Sequence, residues 1–194
     1  MVARSQTAGM QKTYLALLRG INVGGKNPVP MAKLRTVLED LGFSNVTTYI
    51  ASGNVILDSD RSADEIRAEI ERALPTAFKL HSETISVLVL SRAQLESVVK
   101  KRPKGFGDQP DTYHSDAIFL IDVDPSDAMT VFDPREGVDE VWPGTGVIYS
   151  QRLSAERTKS RLNKIMSSQH YRSMTIRSWQ TTAKLLELMQ ARDE

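Results

Sequence analysis

The residues best suited to chemistry lie in Leu18-Arg19-Gly20-Ile21-Asn22-Val23-Gly24-Gly25-Lys26-Asn27. The glycines let a backbone turn tightly and present N–H groups, and Arg19 and Lys26 put cations beside them. That combination suits an anion such as phosphate. The spacing Gly20, four residues, Gly25, Lys26 nearly matches a P-loop. A P-loop continues with Ser or Thr to hold magnesium, and here Asn27 follows. Pro28 and Pro30 come next, whereas a P-loop helix begins at the lysine so that its N-terminus faces the phosphates. The plainer alternative is that the glycines only shape a connection.

A second concentration of chemistry lies near the end of the chain. Residues 151–184 hold eight Lys or Arg against the single acid Glu156, in a chain whose total charge is +1. Arg157, Arg161 and Lys164 fall at helical spacing, on one stripe of a helix expected from Ser154 to about Ser168. Leu162, Ile165 and Met166 form its other face. Lys159, Arg161 and Arg177, with Tyr149, Tyr171 and Trp179 interleaved, suit a phosphate-bearing small molecule or a nucleic-acid backbone with stacked bases. The competing reading is a solvated basic face paired with acids from elsewhere. Trp179, in the first turn of an apolar helix, reads more simply as core.

Other chemistries are thinly supplied. The chain has no cysteine, which removes thiol catalysis, disulfides and thiolate zinc sites. His81, His114 and His170 lie far apart with no ligand spacing, so no metal is expected. Asp122, Asp124 and Asp127 have a spacing that can bind magnesium, but Asp124 before Pro125 is better read as a helix cap. There is no Gly-x-Ser-x-Gly elbow. Ser160 lies mid-helix in this reading, where a hydroxyl usually bonds the preceding turn. No cofactor is expected.

The elements that must position these residues follow from periodicity. Thr13–Arg19 reads as a buried strand running into the glycine loop. Met31, Leu34, Leu38 and Leu41 mark a helix that Gly42 stops. Asn45–Ala51 and Asn54–Leu57 are strands joined at Ser52-Gly53. Capping boxes at Ser62–Glu65 and Ser91–Gln94 open two helices, separated by a strand over 84–90. This βαββαβ order is that of a ferredoxin-like unit, or split βαβ. Lys100 to Pro110 breaks the pattern with charge, glycine and proline. The order then resumes: a strand over 117–121, a short helix from Asp124, a hairpin around Pro143–Gly146, the helix from Ser154, a strand over 174–177 and a final helix capped by Ser178. The domains expected are a loose tail (1–12), two ferredoxin-like halves (13–100 and 112–194) joined by a linker (101–111), and close packing of the halves into one body.

Topology sharpens the site. In such a sheet strands one and three are antiparallel neighbours. The end of the first strand therefore meets the start of the third, bringing Ser52, Gly53 and Asn54 beside Arg19, Asn22 and Gly24. The candidate ligand-binding set is Arg19, Asn22, Gly24, Gly25, Lys26, Ser52, Asn54, Lys159, Arg161 and Arg177. Asn22 and Asn54 have an alternative role, pinning the loop by bonds to backbone.

Composition sets the outer bounds. Hydrophobic residues make up 40% and charged residues 25%, as in a soluble globular protein. A net charge of +1 gives no global field that would advertise nucleic acid or membrane. No apolar run approaches the roughly 18 residues of a span, so no membrane partner is expected. The expected location is the cytoplasm. A homodimer pairing through a sheet surface is the structural alternative to ligand binding. A small enzyme, using Arg19 or Lys26 to stabilise developing negative charge, is the catalytic one.

Four stretches together resemble a known family. They are the glycine-rich loop, Thr48-Tyr49-Ile50-Ala51-Ser52-Gly53-Asn54-Val55, Lys159-Ser160-Arg161-Leu162, and Met174-Thr175-Ile176-Arg177-Ser178-Trp179-Gln180-Thr181 with Lys184-Leu185. In that order they resemble the uncharacterised bacterial family called domain of unknown function 1697, over about Thr13 to Met189. The resemblance implies an α+β protein with two ferredoxin-like halves, antiparallel sheets and a C-terminal helix. It implies no activity. Where the family commonly reads Arg-Asn-Trp-Asn-Thr, this chain has Arg177-Ser178-Trp179-Gln180-Thr181. Serine caps a helix as asparagine does, so the resemblance carries over the helix start but not an amide contact.

Overall fold

The computed structural model describes residues 11–192; residues 1–10 of the expected tail lie outside the described residues. Eight strands and five α-helices follow one another as β1 (Lys12–Leu18), α1 (Met31–Asp40), β2 (Ser44–Tyr49), β3 (Asn54–Ser59), α2 (Ala63–Ala77), β4 (Val87–Ser91), α3 (Arg92–Lys100), β5 (Tyr113–Leu120), α4 (Pro125–Met129), β6 (Asp139–Pro143), β7 (Val147–Leu153), β8 (Met174–Ser178) and α5 (Trp179–Gln190). They form two four-stranded antiparallel sheets, ordered β2-β3-β1-β4 and β6-β7-β5-β8. The second order repeats the first strand for strand, as two ferredoxin-like halves require. The fold is α+β.

β1 is a run of apolar residues because it is covered on both faces. Tyr14, Ala16 and Leu18 pack into a core with Leu34 and Leu38 of α1 and Ile66, Ile70 and Leu74 of α2. Leu15 and Leu17 point the other way, as the strand period of two demands. They join Ala117 and Phe119 of β5, Val147 and Tyr149 of β7, and Leu185 and Met189 of α5. The inner faces of both sheets, with α3 and α5, thus share one apolar layer. The outer face of the second sheet buries Ile118, Leu120, Ile148 and Met174 against Ala128 and Ile165.

Local chemistry sets the helix starts. Ser62 and Ser91 form reciprocal capping boxes with Glu65 and Gln94. Asp124 caps α4 by accepting from the Ser126 N–H at 3.3 Å, in keeping with the cap reading. Asp122 takes a different partner, a two-pronged ion pair with Arg67 of α2 at 2.9 and 2.6 Å, which ties the halves together at the surface. No cluster of His, Asp or Glu fit for a metal occurs among the described residues, and none of their helices is long and apolar enough to cross a membrane.

One expectation is corrected. Residues 154–168 do not form an α-helix. They form short 3-10 turns over Ser154–Glu156 and Leu162–Ser167, so Arg157, Arg161 and Lys164 share no α-helical stripe. The reason is local competition for backbone donors. Asp139, 5% exposed, accepts the Arg161 N–H at 2.8 Å and the Arg135 N–H at 3.0 Å, and the Ser160 hydroxyl takes the Leu162 N–H. The 101–111 stretch contributes a residue to the core. Phe106 is 1% exposed and makes edge-on contacts with Trp142, Tyr149 and Trp179 at centroid distances of 6.0, 5.3 and 5.1 Å.

Candidate functional site

The 19–27 loop is a small hairpin built on its polar residues. The Lys26 N–H donates to the Val23 carbonyl at 2.9 Å and the Asn22 N–H to the Asn27 carbonyl at 3.0 Å. Gly24 and Gly25 occupy the turn with φ of 57° and 74°, as a tight mirror-image turn requires. Asn22 has φ of 55° and spends its side chain on the Val29 N–H and carbonyl and on the Ala51 carbonyl. Asn27 is buried, and its amide bridges the Gly20 carbonyl, the Ser82 hydroxyl and the backbone N–H groups of His81 and Ser82. Asn22 and Asn54 are therefore pins, the alternative role expected of them.

The Ser52-Gly53 turn lies where antiparallel pairing puts it. Leu17 faces Asn54 across the β1–β3 ladder, and the Leu18 N–H donates to the Gly53 carbonyl at 2.8 Å. A side chain at Gly53 would sit 2.9 Å from Leu18 Cβ and 3.0 Å from Ile21 Cδ1, so only glycine lets this turn press on the end of β1. Asn54 is fully buried, and its amide donates to the Tyr49 carbonyl and the Ser52 hydroxyl.

The second half completes the site from β8. Thr175 and Arg177 share a face of that strand, and Arg177 is 7% exposed. Its guanidinium reaches across the halves to the carbonyls of Leu18 and Ser52 at 3.0 and 2.9 Å, to Gly53, and to Asn54 Oδ1. Within its own strand it donates to Thr175 Oγ1 and the Ile176 carbonyl. Every acceptor is neutral. Burial pushes the guanidinium down to about 10, which leaves it cationic at neutral pH. Arg19 reaches the opposite way, donating to the Met174 carbonyl at 2.9 Å and the Tyr171 carbonyl at 3.1 Å. Its guanidinium lies 5.0 Å from the Tyr171 ring centroid.

Between these groups is a cavity of about 560 Å³. Arg19, Lys26 and Arg177 supply three cations to its lining, and Ser52 and Thr175 supply hydroxyls. Ile21, Val23, Tyr171, Met174 and Ile176 supply apolar surface, and no Asp, Glu or His lines it. Lys26 is exposed and has no ion-pair partner among the described residues. Uncompensated cations in a recess walled by protein focus positive potential there.

Of the expected site residues, Arg19, Lys26, Ser52 and Arg177 meet at this cavity, with Asn22 and Asn54 behind it. Gly24 and Gly25 are at the exposed hairpin tip. Lys159 and Arg161 are not brought in. Lys159 pairs with Glu156 at 2.6 Å, and Arg161 and Lys164 both pair with Asp133, at 3.2 and 3.1 Å. Tyr149 and Trp179 are core residues, and the Tyr149 hydroxyl donates to the Val98 carbonyl at 2.7 Å. Thr175 and the stacking of Arg19 on Tyr171 were not anticipated. The alternation in Thr175-Ile176-Arg177 was the available signal for the first. The second depends on residues 152 positions apart.

The fold and site define a class: two ferredoxin-like halves sharing one core, with a cationic cavity where the end of β1 meets β8. The chain belongs to the family described as protein of unknown function DUF1697, which matches residues 10–149. The motifs at 159–162 and 174–185 lie beyond the matched stretch. The structure is similar to that of the conserved bacterial protein SP0830 from Streptococcus pneumoniae, with a TM-score of 0.74 and 26% sequence identity over 92% of this chain and 99% of that one. No curated protein matches this chain.

Proposed function

We propose that this protein binds a phosphate-bearing small molecule in the cavity between the 19–27 hairpin and β8. The observation that carries this reading is the lining itself: Arg19, Lys26 and Arg177 with no carboxylate among them. A buried arginine normally has an acid partner, and Arg177 has only neutral oxygens around it. An anionic ligand would supply the missing counter-charge. The absence of His, Asp and Glu from the lining favours binding over turnover, because these are the usual groups for moving a proton at neutral pH. The local pairing of Lys159, Arg161 and Lys164 with acids favours a small molecule over a nucleic-acid backbone tracking along 151–184.

The test is thermal unfolding of the whole chain with inorganic phosphate, pyrophosphate and ribose 5-phosphate. A ligand at a hundred times its Kd adds about 2.7 kcal/mol, a rise of about 5–10 °C for a chain of this size. Lys26→Ala should abolish the rise while leaving the ligand-free Tm almost unchanged, since the side chain is exposed. No shift with any of the three, or an equal shift in Lys26→Ala, overturns the reading.

A further inference from the structure

We infer that the ligand of this cavity is a nucleoside monophosphate, held by its phosphate on the cations and by its base on apolar surface; this rests on the phosphate-binding reading above. A cavity of about 560 Å³ lies within the roughly 300–1,000 Å³ of sites that enclose whole small molecules and is far larger than a bare phosphate fills. The excess has a definite character. Ile21, Val23, Met174 and Ile176 line it beside the cations. Val23, at the hairpin turn, is 64% exposed, one of three exposed large hydrophobic residues among those described. Three residues further on, Lys26 carries charge into the same recess. An uncovered apolar side chain at the mouth of a cationic cavity suits a ligand with both an anionic and an apolar part.

The planar part is indicated by Tyr171 and Arg19. Their cation–π contact, at 5.0 Å from ring centroid to guanidinium, holds two flat groups in the lining. Arg19 is fixed a second time by its bonds to the Met174 and Tyr171 carbonyls. Bases stack on aromatic rings and on guanidinium planes alike, so the pair forms a rigid platform already oriented before any ligand arrives. Sugar hydroxyls find partners in Ser52 and Thr175. Each of these hydroxyls accepts a bond, from Asn54 and Arg177 respectively, and keeps its own proton to donate. With no carboxylate in the lining, an ammonium group has no counter-ion there, which disfavours amino acids and amino sugars and leaves a neutral base as the fitting head group.

The experiment is calorimetric titration of the full chain with uridine 5′-monophosphate, adenosine 5′-monophosphate, ribose 5-phosphate and inorganic phosphate. At least one nucleotide should bind about ten-fold or more tighter than ribose 5-phosphate, the increment of one stacked base. Val23→Ser, an exposed change, and Tyr171→Leu should each weaken nucleotide binding more than ribose 5-phosphate binding and so shrink that ratio. Equal binding of nucleotides and ribose 5-phosphate overturns this inference and leaves the phosphate site standing. No binding by any of the four overturns both readings.

Discussion

Arg177 is the residue whose replacement tests most of the reasoning. Its guanidinium gives bonds to Leu18 O, Ser52 O and Asn54 Oδ1 in the other half. It also reaches Gly53 O, which already accepts from the Leu18 N–H. Arg177→Met keeps most of the volume and removes the charge. Two effects then oppose each other. Burial holds the guanidinium at about 10, below its ordinary value, so deleting the charge returns about 3 kcal/mol of desolvation. Three acceptors in the other half lose the arginine, at about 1–3 kcal/mol each, so about 6 kcal/mol in the middle of that range, and Thr175 Oγ1 and the Ile176 carbonyl lose it as well. The unpaired acceptors win, and the net loss is about 3 kcal/mol. Arg177→Lys keeps a charge but has no planar fork, so it satisfies fewer of the acceptors and should not restore the loss. Guanidinium chloride unfolding, monitored by far-UV circular dichroism, reads both variants as a lower midpoint at unchanged slope. An Arg177→Met protein as stable as the parent, or more stable, would refute the claim that this arginine ties the halves together.

Other perturbations probe the remaining structure. At Gly107 a Cβ would meet Trp179 Cδ1 at 2.1 Å, whereas at Gly105 nothing lies within 4 Å. Both have positive φ, so Gly105→Ala should cost only backbone strain, about 1–2 kcal/mol. Gly107→Ala should exceed it by about 1–3 kcal/mol from overpacking, and equal unfolding midpoints would show that 101–111 is not packed on α5. The bond from His114 to Asp116 raises the histidine above its ordinary 6.5. Its stabilising contribution is then fully present below pH 6.5 and is lost as pH rises through the folded-state value. His114→Gln should therefore narrow its stability gap to the parent between pH 5.5 and 8.5, with the larger gap at pH 5.5; a gap that does not change with pH removes the pair from consideration.

The parts legible in the sequence were those set by near-neighbour patterns. The capping boxes at Ser62 and Ser91 and the caps at Asp124 and Ser178 were read from short motifs, and each stands in the structure. The meeting of the Ser52-Gly53 turn with Arg19 followed from antiparallel pairing of strands one and three. What is not legible depends on distant partners. The spacing of Arg157, Arg161 and Lys164 fits a helix, but Asp139, more than twenty residues upstream, takes the Arg161 N–H. Phe106 stands among lysines, glycines and prolines, and only the three aromatic rings around it make it a core residue. Arg177 reads with a basic segment because charge belongs to a residue type, whereas its burial depends on the carbonyls of β1 and the 52–53 turn.

The apolar layer shared by the two sheets has a consequence for synthesis. A nascent chain can complete the first sheet once α3 has emerged, but Leu15, Leu17 and Ile56 then have only first-half partners in their layer, chiefly Leu95 and Val98 of α3. Their remaining partners, from Phe106 to Met189, arrive over several further seconds at about 5–20 residues per second. Throughout that interval the young first half shows a sticky face to its surroundings. Its safe passage depends on the ribosome finishing α5 before a neighbouring nascent chain finds that face.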